Sequence, residues 1–159
     1  MAHGTTLLFN SFKKELMNGS HALGTQAANG VRTVTTKDVL KAALFATSDT
    51  TVVTTTTAYS TTGELAGTGG YTQGGVTVTN ATVPSNTTVT AFWTPSASFV
   101  WSSFTSSEAF DAVQIYNSSS TGSLSIGLFV FGTQTVTAGT LTLTMPTNDS
   151  STGLIRITS

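Results

Sequence analysis

Two histidines, His3 and His21, and seven carboxylates, Glu15, Asp38, Asp49, Glu64, Glu108, Asp111 and Asp149, supply the acid–base chemistry of this 159-residue sequence, which contains no cysteine. Hydrolysis and group transfer need two placed carboxylates, a nucleophile with its base, or a metal set. Asp38 with Lys41 and Glu108 with Asp111 are closely spaced, but no histidine or second carboxylate motif completes a triad, dyad or metal set. Serine is abundant without a G-x-S-x-G elbow, and the glycines of GTGGYTQGG lack the Gly-Lys-Ser/Thr of a phosphate loop. The expectation is therefore no catalytic residue, no metal and no cofactor. One alternative stays open, in which folding brings Glu108 or Asp111 to Glu64. His3 is expected in a fraying terminus, and His21 is expected either to cap helix carbonyls or to face solvent.

Glu64 stands apart because it lies in GELAGTGGYTQGG, residues 63–75, with six glycines in thirteen positions. Such a run predicts a turn-rich excursion in which a carboxylate accepts several backbone N–H bonds and fixes the loop. Glu64, Gly67, Gly69, Gly70, Tyr71, Gly74 and Gly75 are its expected structural residues. Phe92, Trp93, Phe99, Trp101 and Phe104 offer a second chemistry, stacking on sugars. However, Val89, Ala91 and Trp93 alternate with Thr88, Thr90 and Phe92 as in a half-buried strand, so core packing accounts for most of these aromatics and carbohydrate binding stays open as the alternative.

The elements that must position these groups are legible in composition and periodicity. Only 8% of residues are charged, net charge is −1, and 35 threonines and 19 serines give a neutral, hydroxylated chain. With 38% hydrophobic residues the chain has enough apolar content to fold, and six basic residues make no field for nucleic acid. MAHGTTLLFN lacks the apolar run of a signal peptide, and no stretch reaches the roughly 20 apolar residues of a membrane span. Synthesis in a cytoplasm without signal-directed secretion is expected, with no membrane partner.

Phe9, Phe12 and Leu16 fall on one helical stripe opposite Lys13, Lys14 and Glu15, predicting a helix over residues 9–18 with Asn10 or Ser11 as N-cap and Gly19 as C-terminal cap. Two or three turns are unstable alone, so the stripe must dock on its own sheet or on a partner. Beyond it, β-branched and aromatic runs predict strands at 38–46, 75–80, 87–93, 99–104, 109–116, 123–131, 140–145 and 154–158. The fold class is all-β, a single antiparallel, jelly-roll-like β-sandwich (37–159) preceded by an N-terminal arm (1–36) with the short helix. In the strand at 123–131, alternation places Leu124, Ile126, Leu128 and Val130 on one face and Phe129 and Phe131 on the other. Phe9, Phe12, Leu16, Phe129 and Phe131 are the candidate partner-contact residues.

Read as strings, FNSFKKELMNGSHALG, DVLKAALFATS and AYSTTGELAGTGGYTQGGVTVTN, followed by Trp101, FTSSEAFDAVQIYNSS, FVFGTQTVTAGTLTLTMP and GLIRI, resemble a family of small structural proteins of tailed bacteriophages. The resemblance runs from about residue 8 to 157; its specific part is the block from Tyr59 to Gly75, and residues 25–36 look like an extra segment. It implies a non-enzymatic virion component on the particle exterior, a capsid decoration or cement protein bound to the major capsid protein or another virion protein. The alternative it implies is a tail or head fibre module that binds a host receptor or glycan. Few charges and many threonine-rich strands further predict a homo-oligomer, a trimer in the first instance, assembled through β-strand faces or edges.

Overall fold

A computed structural model describes residues 3–24 and 36–159; the extra segment falls, apart from Thr36, outside the described residues. Its elements in chain order are β1 (Leu7–Leu8), α1 (Asn10–Met17), β2 (Leu40–Ala46), β3 (Val76–Thr77), β4 (Ser85–Asn86), β5 (Thr90–Trp93), β6 (Phe99–Phe104), β7 (Phe110–Asn117), β8 (Leu124–Gln134), β9 (Gly139–Leu143) and β10 (Ile155–Thr158). The chain is mostly β with one short helix, and its strands pair antiparallel. Each of the eight predicted strands is present. β1 and β4 were not predicted, because two residues carry no readable alternation.

The strands form a five-stranded sheet, β1–β8–β7–β2–β3, a three-stranded sheet, β10–β5–β4, and a two-stranded sheet, β6–β9. All eight residues of β7 are buried, as a strand covered on both faces requires. Direct partners across a ladder share a face. Leu44 and Val113 are thus opposite one another on one side of the sheet, and Lys41 and Tyr116 on the other. The Val113 face also carries Asn117, and the Tyr116 face carries Gln114.

α1 belongs to this core. Phe9 and Phe12 are fully buried and Leu16 half-buried, and the Phe9 N–H bonds the Ile126 carbonyl at 3.2 Å. Phe9 and Phe12 are therefore corrected from partner contacts to packing inside their own chain. Capping also differs from expectation at the helix start. Phe9 is the N-cap and makes no side-chain cap bond, while Ser11 Oγ donates to the Thr56 carbonyl and the Asn10 N–H to that of Thr54. Asn10 and Ser11 fasten the helix to the segment before Tyr59. At the other end Gly19 has φ 67°, with its N–H on the Leu16 carbonyl and that of Ser20 on Glu15, the expected left-handed ending.

In β8 the simple alternation fails. Leu128 lies opposite Gln114, but the register shifts between Ile115 and Tyr116, so that Leu124 lies opposite Asn117. The extra residue of this bulge moves Leu124 to the face opposite Leu128.

Candidate functional site

The Glu64 carboxylate lies in a pocket of its own chain. The Tyr59 hydroxyl donates to Oε2, while the Tyr71 hydroxyl at 2.6 Å and the Gly74 N–H at 2.8 Å donate to Oε1. Glu64 is 7% exposed and Tyr71 3% exposed, so the bond between them is shielded from water. Tyr59 stacks on Tyr116 with ring centroids 4.1 Å apart and 8° between planes, and the Tyr116 hydroxyl donates to the Gly74 carbonyl at 2.8 Å. Three tyrosines, the full complement of the chain, thus close around one carboxylate and one glycine.

What this cluster holds is the outer edge of β2. Tyr71 Oη accepts the Leu44 N–H at 2.9 Å, the Leu65 N–H bonds the Leu44 carbonyl, and the Ala46 N–H bonds the Gly63 carbonyl. The glycine-rich excursion therefore continues the edge begun by β3. Close approach explains its composition at Gly75, where φ is 68° and an added Cβ would sit 1.8 Å from the Ala42 carbonyl oxygen. Gly69, Gly70 and Gly74 also have positive φ, whereas Gly67 has only ordinary contacts around an added Cβ. The tyrosines carry the electrostatic imprint. Burial first, and then the Glu64 charge, hold the phenols of Tyr59 and Tyr71 well above their usual range and push Tyr116 up to about 12.

The second cluster lies at His3. Its Nδ1 faces Asp111 Oδ1 at 2.5 Å, its Nε2 faces Asp49 Oδ2 at 3.3 Å, and its backbone N–H donates to Asp111 Oδ2 at 2.7 Å. His3 is thereby corrected from a fraying terminus to a tie between the first residues, the β2–β3 connection and β7. Burial raises the affinity of Asp49 for a proton. The hydroxyl and N–H of Thr51, the Val52 N–H and His3 outweigh it, and the carboxyl lies below its usual value.

His21 makes the third cluster, and it neither caps carbonyls nor faces solvent. The residue is 8% exposed, with Nε2 2.9 Å from Glu15 Oε2 and Nδ1 3.2 Å from Asn117 Nδ2. Asn117 Oδ1 accepts the N–H groups of Ser119 and Ser120, which turns its amide nitrogen toward His21 and toward Asp38 Oδ2 at 2.6 Å. His21 therefore accepts at Nδ1 and donates from Nε2. Glu15, assigned to the solvent side of the helix by its charge, instead lies inward.

The two histidines and their carboxylates are bonded to one another within the chain. Both ring nitrogens of each histidine face a polar partner of the same chain. Glu108 does not meet Glu64; it accepts an exposed bond from Ser48 Oγ at 3.1 Å. Asp111 meets Asp49 about His3, a pairing across 46 and 108 residues of chain that no local motif announces. Among the described residues no group of three or more His, Cys, Asp or Glu side chains is arranged to hold a metal, and no helix is long and apolar enough to cross a membrane.

Most of the candidate stacking aromatics lie in the core. Trp93, Phe99, Trp101 and Phe104 are buried, and Phe92 is half-buried beside a cavity of about 190 Å³ between Leu16, Leu23, Trp93 and Ile155. Phe129 is buried and Phe131 half-buried, packed on Phe110 with centroids 6.0 Å apart. Both line a groove of about 320 Å³ with Phe99, Val113 and Leu143. No protein-family model, no characterised protein and no solved structure matches this chain.

Proposed function

We propose that this chain is a non-enzymatic structural subunit of a bacteriophage particle, a capsid decoration or cement protein built as a jelly-roll-like β-sandwich. The observation that carries this reading is the use of the Tyr59–Gly75 block. The most specific part of the phage-family resemblance directs Tyr59, Glu64 and Tyr71 inward onto the edge of β2, so that the signature secures a fold rather than presenting groups to a substrate. The full engagement of both histidines agrees with it. For the sandwich, Phe99 and Leu143 of the two-stranded sheet share a groove with Val113 and Phe129 of the large sheet, as two facing layers do.

In this reading the protein is made in the host cytoplasm and acts on the particle exterior. It bridges neighbouring copies of the major capsid protein or another virion protein, so that opening the shell must also break the added contacts, multiplied over many copies. The test is immunogold electron microscopy of particles from the phage that encodes the chain, using antibody raised to the purified protein, with a parallel assay for hydrolysis of host cell-wall and capsular material. Label over the heads without turnover is expected. Particles without label, or turnover that Asp49→Asn and Asp111→Asn abolish, would overturn the reading.

A further inference from the structure

The strand edges of this protein are unequally defended. An edge presents unpaired N–H and C=O groups to any passing strand unless short length, charge, a bulge or a covering loop prevents it. β1, β3 and β4 have two residues each, and β10 carries Arg156. β2 is covered by the Glu64 loop. β6 is bulged opposite β9, and its outer side is met by that same loop, the Thr105 N–H bonding the Gly69 carbonyl at 2.7 Å. β9 has none of these devices. Its five residues pair with β6 on one side and, among the described residues, with nothing on the other. No charged residue occurs anywhere between Asp111 and Asp149.

The edge is also complementary to itself. Thr140-Leu141-Thr142 reads alike in both directions, with exposed threonines flanking a leucine that faces inward. We propose that β9 pairs antiparallel with β9 of a second copy of this chain about a two-fold axis at Leu141, joining the two-stranded sheets into one of four strands. Thr140 then lies opposite Thr142 of the partner subunit, and Leu141 opposite its own counterpart, both favourable cross-strand pairs. The groove of about 320 Å³ runs beside this edge and shares Thr142 and Leu143 with it, so the second copy also walls off Phe131 and Met145. Such pairing closes as a dimer, in place of the trimer expected from composition. It concerns the isolated chain and goes beyond the particle reading, which stands or falls separately.

The experiment is sedimentation equilibrium of the full chain up to about 1 mM, with hydrogen exchange of the 139–143 backbone measured across the same concentrations. A monomer–dimer equilibrium is expected, with protection of β9 rising as dimer forms. Thr140→Lys with Thr142→Lys, both exposed and now placing like charges opposite one another, should weaken association about tenfold or more. Ile157→Lys on β10 should leave it unchanged. Sedimentation as a monomer throughout, a trimer, exchange over 139–143 that ignores concentration, or a dimer that the paired lysines do not weaken would each overturn the proposal.

Discussion

The Tyr71 hydroxyl stands between Glu64 and Leu44, donating to the carboxylate at 2.6 Å and accepting the backbone N–H of β2 at 2.9 Å. A single oxygen thus connects the charge of the glycine-rich loop to the edge of the main sheet. The carboxylate polarises the hydroxyl, and the hydroxyl in turn satisfies a buried donor that would otherwise lack a partner.

Removing that oxygen should therefore cost more than an average buried hydroxyl. Tyr71→Phe is expected to lower stability by about 2 to 3 kcal/mol, since it leaves both the Leu44 N–H and one carboxylate lone pair unmet. Tyr59→Phe, at a half-buried position, should cost about 1 kcal/mol. Glu64→Gln replaces one acceptor oxygen with a donor facing a donor, and about 1 to 3 kcal/mol is expected. Urea unfolding followed by circular dichroism measures all three.

Two glycines of one loop should behave oppositely. Gly75→Ala meets a positive φ and the Ala42 carbonyl at 1.8 Å, and a loss of about 3 kcal/mol or more is expected because the loop must leave the edge of β2. Gly67→Ala, whose nearest neighbour is 3.7 Å away, should change stability by less than about 0.5 kcal/mol. Thermal melts of the two variants test the pair.

On the N-terminal side, His3→Ala leaves Asp111 and Asp49 facing each other without the ring between them, and should destabilise by about 1 to 3 kcal/mol. The acid limb of the stability curve carries the same cluster. Asp49 has a folded-state pKa below its usual 3.8, so its contribution is present above that value and is lost as pH falls through the lower, folded one. Melting temperature of the parent should fall as pH drops below about 4, and Asp49→Asn should flatten that fall.

Much of the fold could be read from the sequence because its signals are local. Two-residue periodicity marked the strands, helical spacing placed Phe9, Phe12 and Leu16 on one stripe, and the density of glycine around Glu64 announced a fixed loop. Side-chain partners far apart in sequence left no such mark. Asp111 and His3 are 108 residues apart, and nothing in either neighbourhood specifies the other. Glu15 was legible in principle: it sits three residues after Phe12 on the buried stripe, but its charge assigned it to solvent until His21 supplied a partner. The bulge in β8 was hidden for another reason, since one inserted residue leaves the alternation intact on either side of it.

The three tyrosines and Glu64 form one cluster that secures the sheet, and alkaline titration followed at once by tyrosinate absorbance and far-ultraviolet circular dichroism reads both the phenols and the strands they hold. The folded-state pKa of each phenol lies above its unfolded value of 10.0, so the associated stability is whole below pH 10 and is lost as pH rises toward the folded values, about 12 for Tyr116. With every tyrosine of the chain in the cluster, no other phenol contributes to the signal. The predicted result is silence at 10.0, then one transition at higher pH in which all three tyrosines ionise as the sheet is lost. Ionisation of any tyrosine near 10.0 with the sheet signal intact would contradict the account.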